Sequence, residues 1–214
     1  MPDYQFLIVD DHMVTASGLK MIVEKEFSAS KCEIAQTVNE AYDLFDKNNY
    51  DLLILDMNIP GSSVTSVIDN ILLKKPHQKM MIFSMNPETV YAKRFLKLGV
   101  KGFVNKENPP EEVLGAIRTI LGNGVYLSTK LVQKISDDFL FSRTDNPFDK
   151  LSQRELEVCS YLIKGYALSD ISDIMKLHKS TIGTHRSRIL EKLGVAKIFE
   201  LRELAMEHNI PLYD

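Results

Sequence analysis

The 214-residue sequence has no tryptophan, two cysteines and no apolar run approaching the roughly 20 residues that span a bilayer. A transmembrane protein is excluded on that count. Residues Met1 to Val9 have neither the basic opening nor the long apolar stretch of a secretory signal, so an intracellular, cytoplasmic location is expected. Cys32 and Cys159 lie far apart and match no metal-ligand spacing, which leaves no disulfide framework or zinc site to organise the fold. Both are expected to be small buried apolar residues. An excess of positive charge is missing too: 26 Lys and Arg against 29 Asp and Glu give a formal net charge of -3. At face value this argues against nucleic acid as a partner, because phosphates call for a basic surface. What is present is 44% hydrophobic and 26% charged residues, the composition of a globular chain with core enough for one or two domains.

Up to about residue 122, short apolar runs alternate with longer amphipathic ones. The runs are Phe6 to Val9, Leu52 to Leu55, Met80 to Phe83 and Gly102 to Val104, with a fifth at Lys31 to Ala35. Near-continuous apolarity over four or five residues marks strands covered on both faces. Between them, helices are expected at Val14 to Lys25, Asn39 to Asn48, Val64 to Lys74, Pro87 to Leu98 and Pro109 to Gly122. This alternation implies an α/β domain, a doubly wound five-stranded parallel sheet with right-handed crossovers. Residues 123–149 read as a linker in which Val125 to Ser128 leads into a short helix reaching Phe141. Ser142 to Lys150 is polar and contains Pro147. From 150 to 214 every apolar pattern is helical, giving a small all-α domain. The boundaries are therefore set at 1–122, 123–149 and 150–214.

Ligand sites in such sheets lie at the carboxyl ends of the strands. There the sequence places Asp10 and Asp11, Asp56, Ser84 and Lys106. Three crowded carboxylates need a cation, and all-oxygen ligation suits Mg²⁺ or Mn²⁺. A carboxylate nucleophile, a metal, an ammonium and a hydroxyl donor are together the parts that phosphoryl transfer requires. A lone Asp after a strand is usually a cap or a solvated turn. Five such residues in order at the strand ends outweigh that reading.

The run Val9-Asp-Asp11, Asp56 followed by Pro60-Gly61, Ser84 after an apolar strand, and Lys106 after Gly-Phe-Val resembles the receiver domain of two-component response regulators, a flavodoxin-like fold, over residues 5–121. The resemblance implies that Asp56 is the phosphoacceptor, served by a sensor histidine kinase. It implies that Asp10, Asp11, Asp56 and the backbone carbonyl of Asn58 hold Mg²⁺, and that Ser84 and Phe103 are the switch pair, with Lys106 on the phosphoryl group. Met85, larger than the residue frequent in receivers at this position, is expected to restrict access to the site. An aspartyl-phosphate hydrolase would need a second Asp two residues after the nucleophile, where this chain has Asn58. The protein is therefore expected not to be an enzyme, slow self-dephosphorylation aside.

In the helical domain, Ser152 with Glu155 three residues on has capping-box spacing. A second helix is expected at Leu168 to Met175, with Ile171, Ile174 and Met175 inward. A turn at Leu177 to Lys179 leads to a third at Ser180 to Leu193, a helix-turn-helix arrangement. Leu151-Ser-Gln-Arg-Glu, Leu162 with Gly165, Ser180-Thr-Ile, His185-Arg-Ser and Leu190-Glu-Lys-Leu-Gly-Val195 resemble the LuxR-type DNA-binding domain over about residues 150–205. With the receiver, this identifies the chain as similar to the NarL/FixJ class. The resemblance implies a recognition helix at Ser180 to Leu193 in the major groove of double-stranded DNA, and a homodimer when active. By chemistry, Thr181, Arg186, Arg188 and Lys192 are candidates for phosphates. Lys179, Thr184 and Ser187 are candidates for base edges, with Ser180 at the helix start. His185 is better placed for packing or a phosphate than for base reading. Gly183 departs from the long polar side chain many relatives carry.

The alternative is a phosphorylation-independent regulator or interaction module that keeps both folds. Charge no longer opposes DNA once it is divided. Residues 1–146 hold 19 acids against 16 bases, whereas residues 147–214 hold ten of each and gather four bases between Lys179 and Lys192.

Overall fold

The apolar runs form strands β1 (Gln5–Val9), β2 (Lys31–Ala35), β3 (Leu52–Leu55), β4 (Met80–Ser84) and β5 (Gly102–Asn105), as shown by a computed structural model describing residues 3–28, 30–59, 62–140, 146–208 and 210. All pairs are parallel, in the order β2-β1-β3-β4-β5. Each strand is followed by a helix: α1 (Met13–Glu26), α2 (Val38–Lys47), α3 (Val64–Lys74), α4 (Glu88–Lys97) and α5 (Pro110–Leu121). The side chains of a strand alternate in direction, and both directions are filled. Phe6, Ile8, Leu52, Ile54 and Met81 pack with Ala16, Leu19 and Val23 of α1 and with Val113, Ile117 and Ile120 of α5. Leu7, Val9, Leu53, Leu55, Met80 and Ile82 are equally buried on the other face. The expected five-stranded doubly wound α/β fold is thus the observed one. Both cysteines are buried, and burial pushes the thiols of Cys32 and Cys159 up to about 12, which leaves them inert.

The chain divides into two compact units, Met1–Ser136 and Asp137–Asp214. Residues 123–136 were expected in the linker but are grouped with the sheet. The cause is local: the Tyr126 amide donates to the Lys101 carbonyl at 2.8 Å, and Tyr126 bridges Gly102 at the start of β5. A Cβ on Gly102 would lie 3.2 Å from that of Tyr126, so glycine permits the approach. Helix α6 (Thr129–Leu140) follows. Pro60 and Gly61, part of the motif quoted above, and linker residues 141–145 lie outside the described residues.

The second unit holds a 3-10 turn at Pro147–Lys150, then α7 (Gln153–Lys164), α8 (Leu168–Met175), α9 (Lys179–Leu193) and α10 (Ile198–Glu207). Ser152 and Glu155 form the capping box in full. Helix α7 stops at Gly165, whose φ of 93° suits a residue without a Cβ. Of the three residues expected inward on α8, Ile171 is buried, Met175 is half-buried and Ile174 is 46% exposed. The three positions share one helix face, so the exposure of Ile174 reflects where α9 packs against α8 and not the length of the helix. The turn to α9 is set by Lys176 in the left-handed region, φ 52°, and by the Ser172 hydroxyl donating to the Leu177 carbonyl at 2.6 Å.

Candidate metal centre and nucleic-acid interface

The sheet ladder runs one residue past the strand ends and thereby fixes the polar residues. The Asp10 amide donates to Ala35 at 3.0 Å, the Asp56 amide to Val9 at 2.8 Å, and the Lys106 amide to Ser84 at 3.0 Å. Residues almost a hundred positions apart are so brought to one edge. Asp10 is 2% exposed, Asp56 4% and Ser84 0%. Into this buried set reaches the Lys106 ammonium, 2.7 Å from Asp10 Oδ2 and 3.3 Å from Asp56 Oδ1.

The electrostatics follow from burial. Removal from water pushes the Asp56 carboxyl above its ordinary range; Lys106 opposes that, and the like charge of Asp10 adds to it. Ligand atoms of Asp10, Asp11, His12 and Asp56 all lie within 4.8 Å of one another. The donor set fits a hard divalent cation, since among the described residues its carboxylate oxygens outnumber the one ammonium that balances them. His12 was not among the residues singled out in the sequence. Its Nδ1 lies 2.9 Å from Asp11 Oδ1, and its amide donates to Asp10 Oδ1 at 2.9 Å. A histidine directly after Asp-Asp at a strand end was the available signal. Asn58 is exposed on the loop after β3.

Ser84 and Phe103, expected to form the switch pair, also have defined surroundings. Ser84 Oγ accepts from the Asn86 amide at 3.2 Å and from Asn86 Nδ2 at 3.1 Å, leaving its own proton to donate. Asn105 Nδ2 donates to the carbonyls of Met85 at 3.3 Å and Asn86 at 3.4 Å, tying the loop after β4 to the end of β5. Met85, expected to restrict access to the site, is 57% exposed. The Phe103 ring is buried and packs against Phe95 of α4, with centroids 6.0 Å apart.

On α9, Ile182, Ile189 and Leu193 face the core, and Lys179, Ser180, Thr181, Thr184, Ser187 and Arg188 are exposed; Arg186 and His185 are half-buried. The Thr184 hydroxyl donates to Ser180 O at 3.0 Å and that of Ser187 to Gly183 O at 3.2 Å. Their oxygens and the Thr184 methyl remain for a partner. His185 Nδ1 is buried and unpaired among the described residues, and burial holds the ring below its ordinary pKa. The structure thus turns that nitrogen toward packing. Lys192 is exposed, but its ammonium is tied to the buried Glu155 Oε2 of the α7 capping box at 2.6 Å. A capping acid that also binds a base 37 residues on could not be read from spacing.

Two family models match the chain: the response regulator receiver domain over residues 6–118, and the bacterial regulatory proteins of the luxR family over residues 149–205. The oxygen regulatory protein NreC of Staphylococcus epidermidis is 30% identical over 214 residues, covering 96% of this chain and 98% of that protein. NreC of Staphylococcus carnosus is 28% identical over 213 residues, with the same coverage. Among solved structures, the RcsB response regulator of Salmonella typhimurium aligns with a TM-score of 0.69 at 21% identity, over 97% of this chain and 98% of that one. An RcsB–DNA complex aligns at 0.59 and 18% identity, over 96% and 98%; both show a shared fold. The receiver model falls on the unit whose sheet edge gathers three carboxylates and a lysine, and the luxR model on the unit that carries the helix-turn-helix. The chain therefore belongs to the two-component response regulators that join a receiver domain to a LuxR-type DNA-binding domain.

Proposed function

We propose that Asp56 accepts a phosphoryl group from a phosphohistidine of a sensor histidine kinase and that this controls binding of α9 to double-stranded DNA. The observation that carries the reading is Lys106, buried with its ammonium between Asp10 and Asp56. An Asp56 oxygen attacks phosphorus; one P–O bond forms, the P–N bond breaks, and the imidazole nitrogen keeps the electron pair. Lys106 favours the ionised carboxylate before attack and pairs with a phosphoryl oxygen after it. Ser84, whose lone pairs Asn86 occupies, donates its proton to another. The carboxylates of Asp10, Asp11 and Asp56 with the Asn58 carbonyl would hold Mg²⁺, which supplies neutralisation of charge on the transferred group. Phe103, packed on α4, carries the rearrangement into that helix.

In the second unit, Lys179, Ser180, Thr181, Thr184, Ser187 and Arg188 present the exposed face of α9 to the major groove, with Arg186 and Arg188 on phosphates. Paired half-sites call for a homodimer. The test is incubation with acetyl phosphate and Mg²⁺ followed by intact-mass measurement. The expected result is the mass of one added phosphoryl group, absent in Asp56→Asn and without Mg²⁺. No addition to the native chain, or the same addition to the variant, overturns the reading and favours a phosphate-independent module.

A further inference from the structure

We propose that Ser128 is a positioning residue for the receiver's output, joining α4 to the first turn of α6 so that movement of the loop after β4 is passed to the helix leading toward the DNA-binding unit. The inference rests on Asp56 being the phosphoacceptor. Ser128 is a buried polar residue, 7% exposed, with both its capacities used. Its hydroxyl donates to Glu88 Oε2 at 2.7 Å, and its oxygen accepts from the Leu131 amide at 3.1 Å. The second bond caps α6. The first ties that cap to Glu88, the first residue of α4 and the fourth after the Ser84 switch hydroxyl.

The surroundings make this a rigid junction. Tyr126 donates to Glu112 Oε1 at 2.6 Å, and its amide is held by the Lys101 carbonyl just before β5. Leu131 is 2% exposed. Burial raises the Glu88 carboxyl above its ordinary range, the Ser128 hydroxyl and amide opposing it, so the hydrogen bond sits where water competes little. A charge-assisted bond of this kind is about twice as strong as a neutral one. If α4 shifts, the α6 cap must shift with it or lose that bond.

Hydrogen exchange of the full chain, with and without beryllofluoride and Mg²⁺, tests the coupling. Native protein should change protection both in the loop around residues 84–90 and in the α6 segment 128–136. In Glu88→Ala, which keeps the Ser128 cap, the loop should still respond and the α6 response should be lost. Ser128→Ala should behave alike and Ser128→Thr should restore the response. An α6 response that survives in Glu88→Ala, or a native chain responding at the loop but not in α6, overturns the coupling while leaving Asp56 as acceptor. No response at the loop overturns both.

Discussion

Asp56 sits 4% exposed, 3.3 Å from the Lys106 ammonium and beside the carboxylate of Asp10. Burial raises its pKa in the folded state, so the folded chain binds a proton more readily than the unfolded one. Stability from this group is therefore present at low pH and falls as pH rises from the ordinary carboxylate value through the raised one. Asp56→Asn should accordingly melt higher than the native chain at neutral pH in EDTA, by roughly 2–4 °C for about 1 kcal/mol. The gap should close on acidification, and added Mg²⁺ should narrow it by binding only the native cluster. Melting curves at several pH values check the sign; a variant less stable at neutral pH would refute it. Lys106→Met should do the opposite, costing about 3–5 kcal/mol without metal because it leaves buried carboxylates unpaired. Thermal melts in EDTA against Mg²⁺ measure the loss and its partial recovery. At this scale the acids, Ser84 and Lys106 were legible because each ends a strand. His12, Asn105 and the Glu155 partner of Lys192 were not, since their roles depend on atoms that only folding brings near.

Helix boundaries came close to the periodic patterns because the apolar stripe and the caps are local. The capping box of α7 is a three-residue spacing, and α3 spans Val64–Lys74 as expected. The fate of Ile174 was not local. Which of three apolar residues on α8 faces inward depends on where α7 and α9 lie, and only Ile171 is fully buried. Gly183 offers a test at this scale. It lies within α9 with nothing within 4 Å of where a Cβ would stand, and its φ is not in the left-handed region. Gly183→Ala should therefore stabilise the DNA-binding domain by about 0.5–1 kcal/mol through backbone entropy. Urea unfolding followed by α-helical circular dichroism measures this. Equal or lower stability would show that the glycine is needed by the fold, and a stabilised variant with weaker DNA affinity would place the Gly183 backbone against the duplex.

Across the whole molecule, the charge of -3 resolves into an acidic sheet unit and a neutral helical one whose bases collect on α9. With Arg186 and Arg188 on DNA phosphates, as proposed, binding should be salt-dependent, and removing either guanidinium should reduce the slope of log affinity against log salt by about 1. Arg186→Ala/Arg188→Ala should weaken binding to sheared, unrelated duplex DNA and flatten that slope; Lys192→Ala should leave the slope nearly unchanged, because Glu155 already holds its ammonium. Salt titrations by fluorescence anisotropy separate the two. The sequence by itself determined the α/β class, the helix-turn-helix, the acidic strand ends and the basic helix, because hydrophobic period, cap spacing and strand-end position are properties of neighbours along the chain. Tertiary structure decided which side chains share an atom's reach: Lys106 between two buried acids, Lys192 on Glu155, and Ser128 on Glu88 across 40 residues. Those pairings arise from the parallel ladder and from helix packing, which bring together residues whose separation in sequence carries no sign of their proximity.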